Sequence, residues 1–316
     1  MVKILFTFRP PTYLREQLLK KFPQCDFSFY KTIGEAEELQ KAEILVTYGE
    51  DLTSKHIDEC SQLKWIMVAS AGLEKMPFEA IHKKQIFVTN ARGIHKIPMA
   101  EFTLGLMLSH VKRFPELAHL EQNATWNKKL PLQELAGKRL LILGTGAIGS
   151  EIARLSQAFR MDVMGVNRSG RQVEFFSGIY QLDHMKEPLQ TADFIVSVLP
   201  STKETKYVLT EEHFHIMKET AVFINIGRGD LVRERVLHQA LKEGQIEHAY
   251  IDVFETEPLS KDHPFWKMPN LTVTPHISSI TKNYLPRAFD IFLHNLNAYL
   301  HKKDDFLNLI DVEKGY

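Results

Sequence analysis

Over the first hundred residues short apolar runs alternate with amphipathic stretches. Residues 4–8, 44–47, 65–69 and 86–89 read as strands buried on both faces of a parallel sheet. Between them, residues 14–20, 33–41 and 53–60 carry helical spacing, and Thr53 followed by His56 fits a helix N-cap. A long helix is predicted over 98–119, linking two domains, with Pro98 in its first turn and apolar positions at Phe102, Leu106, Leu108 and Val111. Residues 121–137, with Asn123, Pro131 and Gly137, have no strong period and read as a loop.

The alternation restarts at Lys138. Strands are predicted at 139–143, 162–167, 194–198, 221–226, 249–253 and 271–273. Helical spacing covers 148–159 and 231–243, and Gly244 stands where a C′ glycine belongs. Strands alternating with helices in both halves predict an α/β protein built from doubly wound parallel sheets. A chain of 316 residues exceeds what one core usually organises, so two domains are expected.

Composition narrows the function classes. Lys plus Arg and Asp plus Glu both number 39, so no whole-molecule field favours nucleic acid or an anionic membrane. Two cysteines, Cys25 and Cys60, do not make a disulfide framework. The apolar run at 4–8 is too short for a signal segment, and 97–111, interrupted by Glu101, falls short of a membrane span. A cytoplasmic protein acting on a small molecule is the expectation.

The strongest local signal is Gly144-Thr145-Gly146-Ala147-Ile148-Gly149, which follows a predicted strand and opens a predicted helix. In a dinucleotide site the first glycine makes the tight turn, the second admits the pyrophosphate, and the third lets helix and strand pack closely. The phosphates then face the helix N-terminus. Further on, where NAD-type folds place a carboxylate against the ribose 2′-hydroxyl, the chain has Asn167-Arg168-Ser169. An arginine can pair with a 2′-phosphate, so NADP(H) is expected over NAD(H), which stays possible.

Three later fragments each follow a predicted strand: Asn225-Ile226-Gly227-Arg228-Gly229, Asp252 to Pro258, and Thr274-Pro275-His276-Ile277-Ser278. Carboxyl ends of strands form the ligand crevice in open α/β sheets, so Arg228, Glu257 and His276 can converge there. A guanidinium clamps a carboxylate and polarises the adjacent carbonyl, an imidazole carries the proton that accompanies a hydride, and a glutamate fixes the imidazole. These parts suit interconversion of a 2-oxo and a 2-hydroxy acid.

Together with Ser70-Ala71-Gly72-Leu73, Thr89 to Gly93, Ala100 to Leu104 and Val198-Leu199-Pro200, these motifs resemble the D-2-hydroxyacid dehydrogenase family over nearly the whole chain. The resemblance implies a Rossmann cofactor domain at 98–286 and a flavodoxin-like substrate domain made from 1–97 and 287–316. It implies Arg228 orienting the substrate, His276 as proton donor and acceptor with Glu257 as partner, and backbone amides at Ala71 and Gly72 holding the substrate carboxylate. Asp252 would contact the nicotinamide end, with Leu199, Pro200, Ile226 and Ser278 near the cofactor. Asn167, Arg168 and Ser169 resemble the NADP-preferring members, those acting on glyoxylate or hydroxypyruvate. D stereochemistry and a homodimer formed through the cofactor domain come from the resemblance alone. Two departures, Tyr250-Ile251 before Asp252 and Ile94 to Pro98, leave the substrate pocket open.

His213-Phe214-His215 places its imidazoles on different helix faces, against a metal site. Trp126 either closes over a neighbouring active site or anchors an interface. A cofactor-responsive regulatory protein without turnover is the rival function, and measured turnover separates the two.

Overall fold

The computed structural model describes residues 1–73 and 75–314. Gly315 and Tyr316, in the predicted C-terminal part of the substrate domain, lie outside the described residues. The chain divides into two compact units, Met1–Ile94 with Thr281–Tyr316, and His95–Ile280.

In the first unit the strands are β1 (Val2–Phe6), β2 (Cys25–Phe29), β3 (Ile44–Thr47), β4 (Trp65–Val68) and β5 (Phe87–Asn90). All pairings are parallel, in the order β2-β1-β3-β4-β5. This is the flavodoxin-like doubly wound order. Every residue of β3 and β4 is buried, which is why these runs lack polar alternation. Strand β2 was not expected: it lies at the sheet edge, and Asp26 and Ser28 interrupt its apolar positions.

Residues 33–41 do not form the predicted helix. They form two 3-10 turns, Ile33–Glu35 and Leu39–Lys41. Ile33, Ala36 and Leu39 recur every third residue and all pack on one cluster, the spacing of a 3-10 turn. The N-cap at Thr53 is observed: the His56 amide donates to Thr53 Oγ1 at 3.4 Å, ahead of the helix Ser54–Glu59. The helix Tyr284–Leu300 returns from the far end of the chain and buries Phe289, Phe292 and Leu296 against Phe6 and Trp65.

The second unit holds β6 (Arg139–Leu143), β7 (Asp162–Val166), β8 (Gly178–Tyr180), β9 (Phe194–Ser197), β10 (Val222–Asn225), β11 (His248–Ile251) and β12 (Leu271–Val273). Their order is β12-β11-β10-β9-β6-β7-β8, all parallel. This is the Rossmann order with one added strand, and it reverses between β6 and β9, where such sheets bind ligands.

The predicted helix over 98–119 is two helices, Lys96–Val111 and Phe114–Gln122. Pro115 has no N–H and its ring would clash with the carbonyl of Val111, so one continuous helix cannot pass. Arg113 takes φ 52° at the break, and its guanidinium pairs with Glu247 at 2.8 Å. The predicted helix over 231–243 starts later, at Glu234–Lys242 after a 3-10 turn at Gly229–Leu231, and Gly244 follows it at φ 70°. Among the described residues no helix is long and apolar enough to cross a membrane.

Candidate active site

In the second unit β6 ends in the glycine loop. Gly144 sits at φ 106°, a conformation that side chains avoid, and turns the chain into the helix Ala147–Ala158. A Cβ on Gly149 would stand 1.9 Å from the Gly144 carbonyl oxygen, so only glycine lets the helix pack this closely. A Cβ on Gly146 would meet nothing within 4 Å. That open side, facing the first turn at Ala147 and Ile148, is where a pyrophosphate can approach backbone N–H groups. The loop thus has a tight turn at Gly144, an open side at Gly146 and a close helix contact at Gly149.

At the end of β7, Asn167 Nδ2 donates to Thr145 Oγ1 at 3.0 Å, and Asn167 Oδ1 accepts from the Gly170 amide at 2.7 Å. Asn167 therefore folds its own turn and ties it to the glycine loop. Ser169 joins that turn, accepting from the Arg171 amide at 3.3 Å. Arg168 is exposed, with no hydrogen bond or ion pair among the described residues. It lines a cavity of about 710 Å³ together with Asn167, Leu199, Pro200, Thr205 and His213. The cavity spans the reversal in strand order, between the ends of β7 and β9.

Glu257 and His276 meet: His276 Nδ1 lies 2.7 Å from Glu257 Oε2. The other carboxylate oxygen, Oε1, accepts from the Phe254 amide at 3.0 Å, which fixes the glutamate. With Nδ1–H donated to Glu257, the Nε2 edge is left for a substrate oxygen. His276 holds φ 52°, in the left-handed region. What holds it there is Asp252, only 1% exposed, whose Oδ1 accepts from Thr274 Oγ1 at 2.6 Å and the Ile277 amide at 2.9 Å, and whose Oδ2 accepts from the Ser278 amide at 3.0 Å. The sequence reading gave Asp252 only a nicotinamide contact and missed this anchoring, because its partners lie on the next strand end.

Arg228 is not bonded to that pair. Its Nη1 donates to the Gly227 carbonyl at 2.8 Å, and no hydrogen bond or ion pair joins it to Glu257 or His276 among the described residues. Its loop nevertheless lies on theirs, since a Cβ on Gly229 would stand 2.0 Å from the Phe254 carbonyl carbon. Asn225 Nδ2 braces the same loop through the Arg228 carbonyl at 2.9 Å. Ile226 is buried, and a Cβ on Gly227 would stand 2.8 Å from the Leu199 oxygen, bringing the Arg228 loop against the cavity wall.

In the first unit Asn90 Nδ2 donates to the Ala71 carbonyl at 2.9 Å, and Ser70 Oγ lies 3.1 Å from the Gly72 carbonyl. Gly72 borders a cavity of about 190 Å³ with Gly49, Glu50, Ser70 and Lys75. Asn90 stands in one of the quoted motifs, but nothing in its spacing assigns it to Ala71.

A family model described as D-isomer specific 2-hydroxyacid dehydrogenase, NAD binding domain, matches residues 104–278. The chain is similar to a glyoxylate reductase of Aeropyrum pernix, 31% identical over 311 residues, covering 96% of this chain and 87% of that protein. It is 34% identical over 267 residues to a D-3-phosphoglycerate dehydrogenase of Methanocaldococcus jannaschii, covering 84% of this chain but spanning only about half (51%) of that longer protein. A crystal structure of a D-isomer specific 2-hydroxyacid dehydrogenase family protein from Aeromonas salmonicida superposes with TM-score 0.85 at 33% identity, covering 98% of this chain and 99% of that one.

Proposed function

Because the chain belongs to the D-isomer specific 2-hydroxyacid dehydrogenase family and is thus a nicotinamide-dependent oxidoreductase, we propose that it is an NADP-preferring reductase of small 2-oxo acids, glyoxylate, hydroxypyruvate or similar. The His276–Glu257 contact at 2.7 Å carries this reading. The reduced nicotinamide supplies the hydride that C2 of the oxo acid receives. His276 donates a proton from Nε2 to the substrate oxygen in reduction and accepts it back in oxidation, while the Glu257 carboxylate accepts Nδ1–H and orients the ring. Arg228 turns its guanidinium from the Gly227 carbonyl to the substrate carboxylate, a stronger, charge-assisted partner. In the first unit, the amides of Ala71 and Gly72 serve as substrate-binding groups.

The unit Met1–Ile94 with Thr281–Tyr316 serves as the substrate domain, and His95–Ile280 as the cofactor domain. The preference for NADP(H) rests on Arg168, which stands at the strand end where a carboxylate would exclude a 2′-phosphate and which, among the described residues, has no hydrogen-bond or ion-pair partner, only the longer-range pull of Glu204. A similar protein named glyoxylate reductase supports the substrate class. The protein acts as a cytoplasmic homodimer, whose mass a sedimentation run reads directly. The activity is tested by steady-state rates with glyoxylate, hydroxypyruvate, pyruvate and bulkier 2-oxo acids, each with NADPH and NADH. Turnover abolished by Arg228→Ala and by His276→Asn in folded protein is the expected result; tight cofactor binding with no turnover on any 2-oxo acid overturns it.

A further inference from the structure

The sequence reading set His213 aside once a metal site was dismissed, yet its surroundings in the structure are specific. His213 stands in the short helix Glu211–His215 and is 9% exposed. Its Nδ1 lies 3.1 Å from the Thr210 amide nitrogen and 2.9 Å from Thr210 Oγ1. An amide N–H can only donate, so Nδ1 is the acceptor and a neutral ring carries its proton on Nε2. Burial, first of all, and then Lys186 hold this imidazole below the ordinary histidine range, against the opposing pull of Glu212. The neutral form therefore prevails at neutral pH.

Among the described residues no group meets Nε2, while the ring lines the cavity that also holds Arg168. Its Nε2–H is a free donor open to the cavity, whose walls include the apolar side chains of Val166, Met185 and Val208 beside the carboxylates of Asp183 and Glu204. A flat heteroaromatic ring with acceptor atoms on its edge fits both the apolar walls and the free imidazole donor. The adenine of a dinucleotide hangs from the same ribose as the 2′-phosphate, so a ligand paired with Arg168 carries its base into this cavity.

We propose that His213 recognises the adenine base, donating from Nε2–H to a ring nitrogen of the bound dinucleotide. The proposal rests on the NADP(H) reading above and adds a base contact to it. The test is titration calorimetry of 2′-phospho-ADP-ribose, the cofactor without its nicotinamide, into the full chain and two variants whose folding is checked by thermal melting. His213→Gln keeps both functions, since its amide oxygen can accept the Thr210 N–H as in a capping box while its NH₂ donates into the cavity. His213→Leu keeps apolar volume and loses the donor.

The expected result is binding about five- to tenfold weaker in His213→Leu, equivalent to about 1–1.4 kcal/mol, with His213→Gln within about twofold of the parent chain. Imidazole ¹⁵N spectra of the parent chain are expected to show Nε2 protonated and displaced by the ligand. Unchanged affinity in His213→Leu, or equal weakening in both variants, overturns the proposal. If the parent chain binds ADP-ribose but not its 2′-phosphorylated form, the NADP preference fails and the same variant comparison on ADP-ribose decides the role of His213. If it binds neither, both readings fall.

Discussion

Acid should weaken the second unit through one half-buried histidine. His248, at the start of β11, packs with its ring centroid 4.6 Å from that of Tyr250 and 5.7 Å from that of His110, both tilted, with Nε2 at 2.9 Å from Thr272 Oγ1. Burial first, then the neighbouring His110 and Arg113, push it down to about 4, while Glu247 opposes them. Although Glu247 Oε1 lies 3.5 Å from His110 Nε2, Arg113 claims that oxygen at 2.8 Å, and burial lowers His110 as well. Glu116, 3.8 Å from Arg113, and Lys138 act on His110 in opposite directions.

The unfolded chain takes up this proton at the ordinary value of 6.5 and the folded chain only at about 4. Stability is thus fully present above the higher value and falls as pH drops through that window. With each tenfold change in proton affinity worth about 1.4 kcal/mol, moving from pH 7 to pH 5 removes about 2 kcal/mol through His248 alone. Urea unfolding of the parent chain and His248→Gln at both pH values isolates this contribution, because carboxylate effects cancel in the difference. The variant should lose about 2 kcal/mol less than the parent chain over that interval. Equal losses in the two proteins would refute the assignment.

Three further outcomes follow from the site. Arg168→Ala should lower kcat/KM with NADPH by about 10–100-fold, the worth of a hydrogen bond to a charged group, and leave NADH rates unchanged, as paired steady-state assays will read. Glu257→Gln replaces the carboxylate that accepts His276 Nδ1–H and orients the ring, and should cut the reductive kcat by about 10–100-fold with little effect on KM. Asp252→Asn cannot accept at both positions now used by Thr274, Ile277 and Ser278. It should cost ~1–3 kcal/mol in urea unfolding and reduce kcat by loosening the His276 turn.

The elements most legible in the sequence were those buried on both sides. β3, β4 and β9 are buried at every residue and apolar but for Thr47 and Ser197, and the order of such runs predicted two parallel sheets. Edge positions obey a weaker rule. β2 and β8 pair on one side only and carry exposed or half-buried residues, so no apolar run announces them. The helix break before Pro115 was legible from that residue alone, but the apolar spacing across 102–111 outweighed it.

In the candidate site, the glycine loop was readable because each glycine answers a local steric need. The partnership of Glu257 with His276 could be anticipated from two strand ends in one crevice. The bonds of Asp252, Asn90 and His213 could not, since each depends on how a neighbouring turn folds.

The return of Tyr284–Leu300 to the first sheet has a bearing on how the protein is made. On the ribosome the sheet of β1 to β5 emerges first, yet the aromatic lid that covers Phe6 and Trp65 is translated only after the whole of His95–Ile280. At ordinary elongation rates that is a wait of roughly 10–40 s with an apolar surface uncovered. The later-made Rossmann unit can therefore be complete before the earlier-made one, and the nascent chain is most in need of a chaperone during that interval.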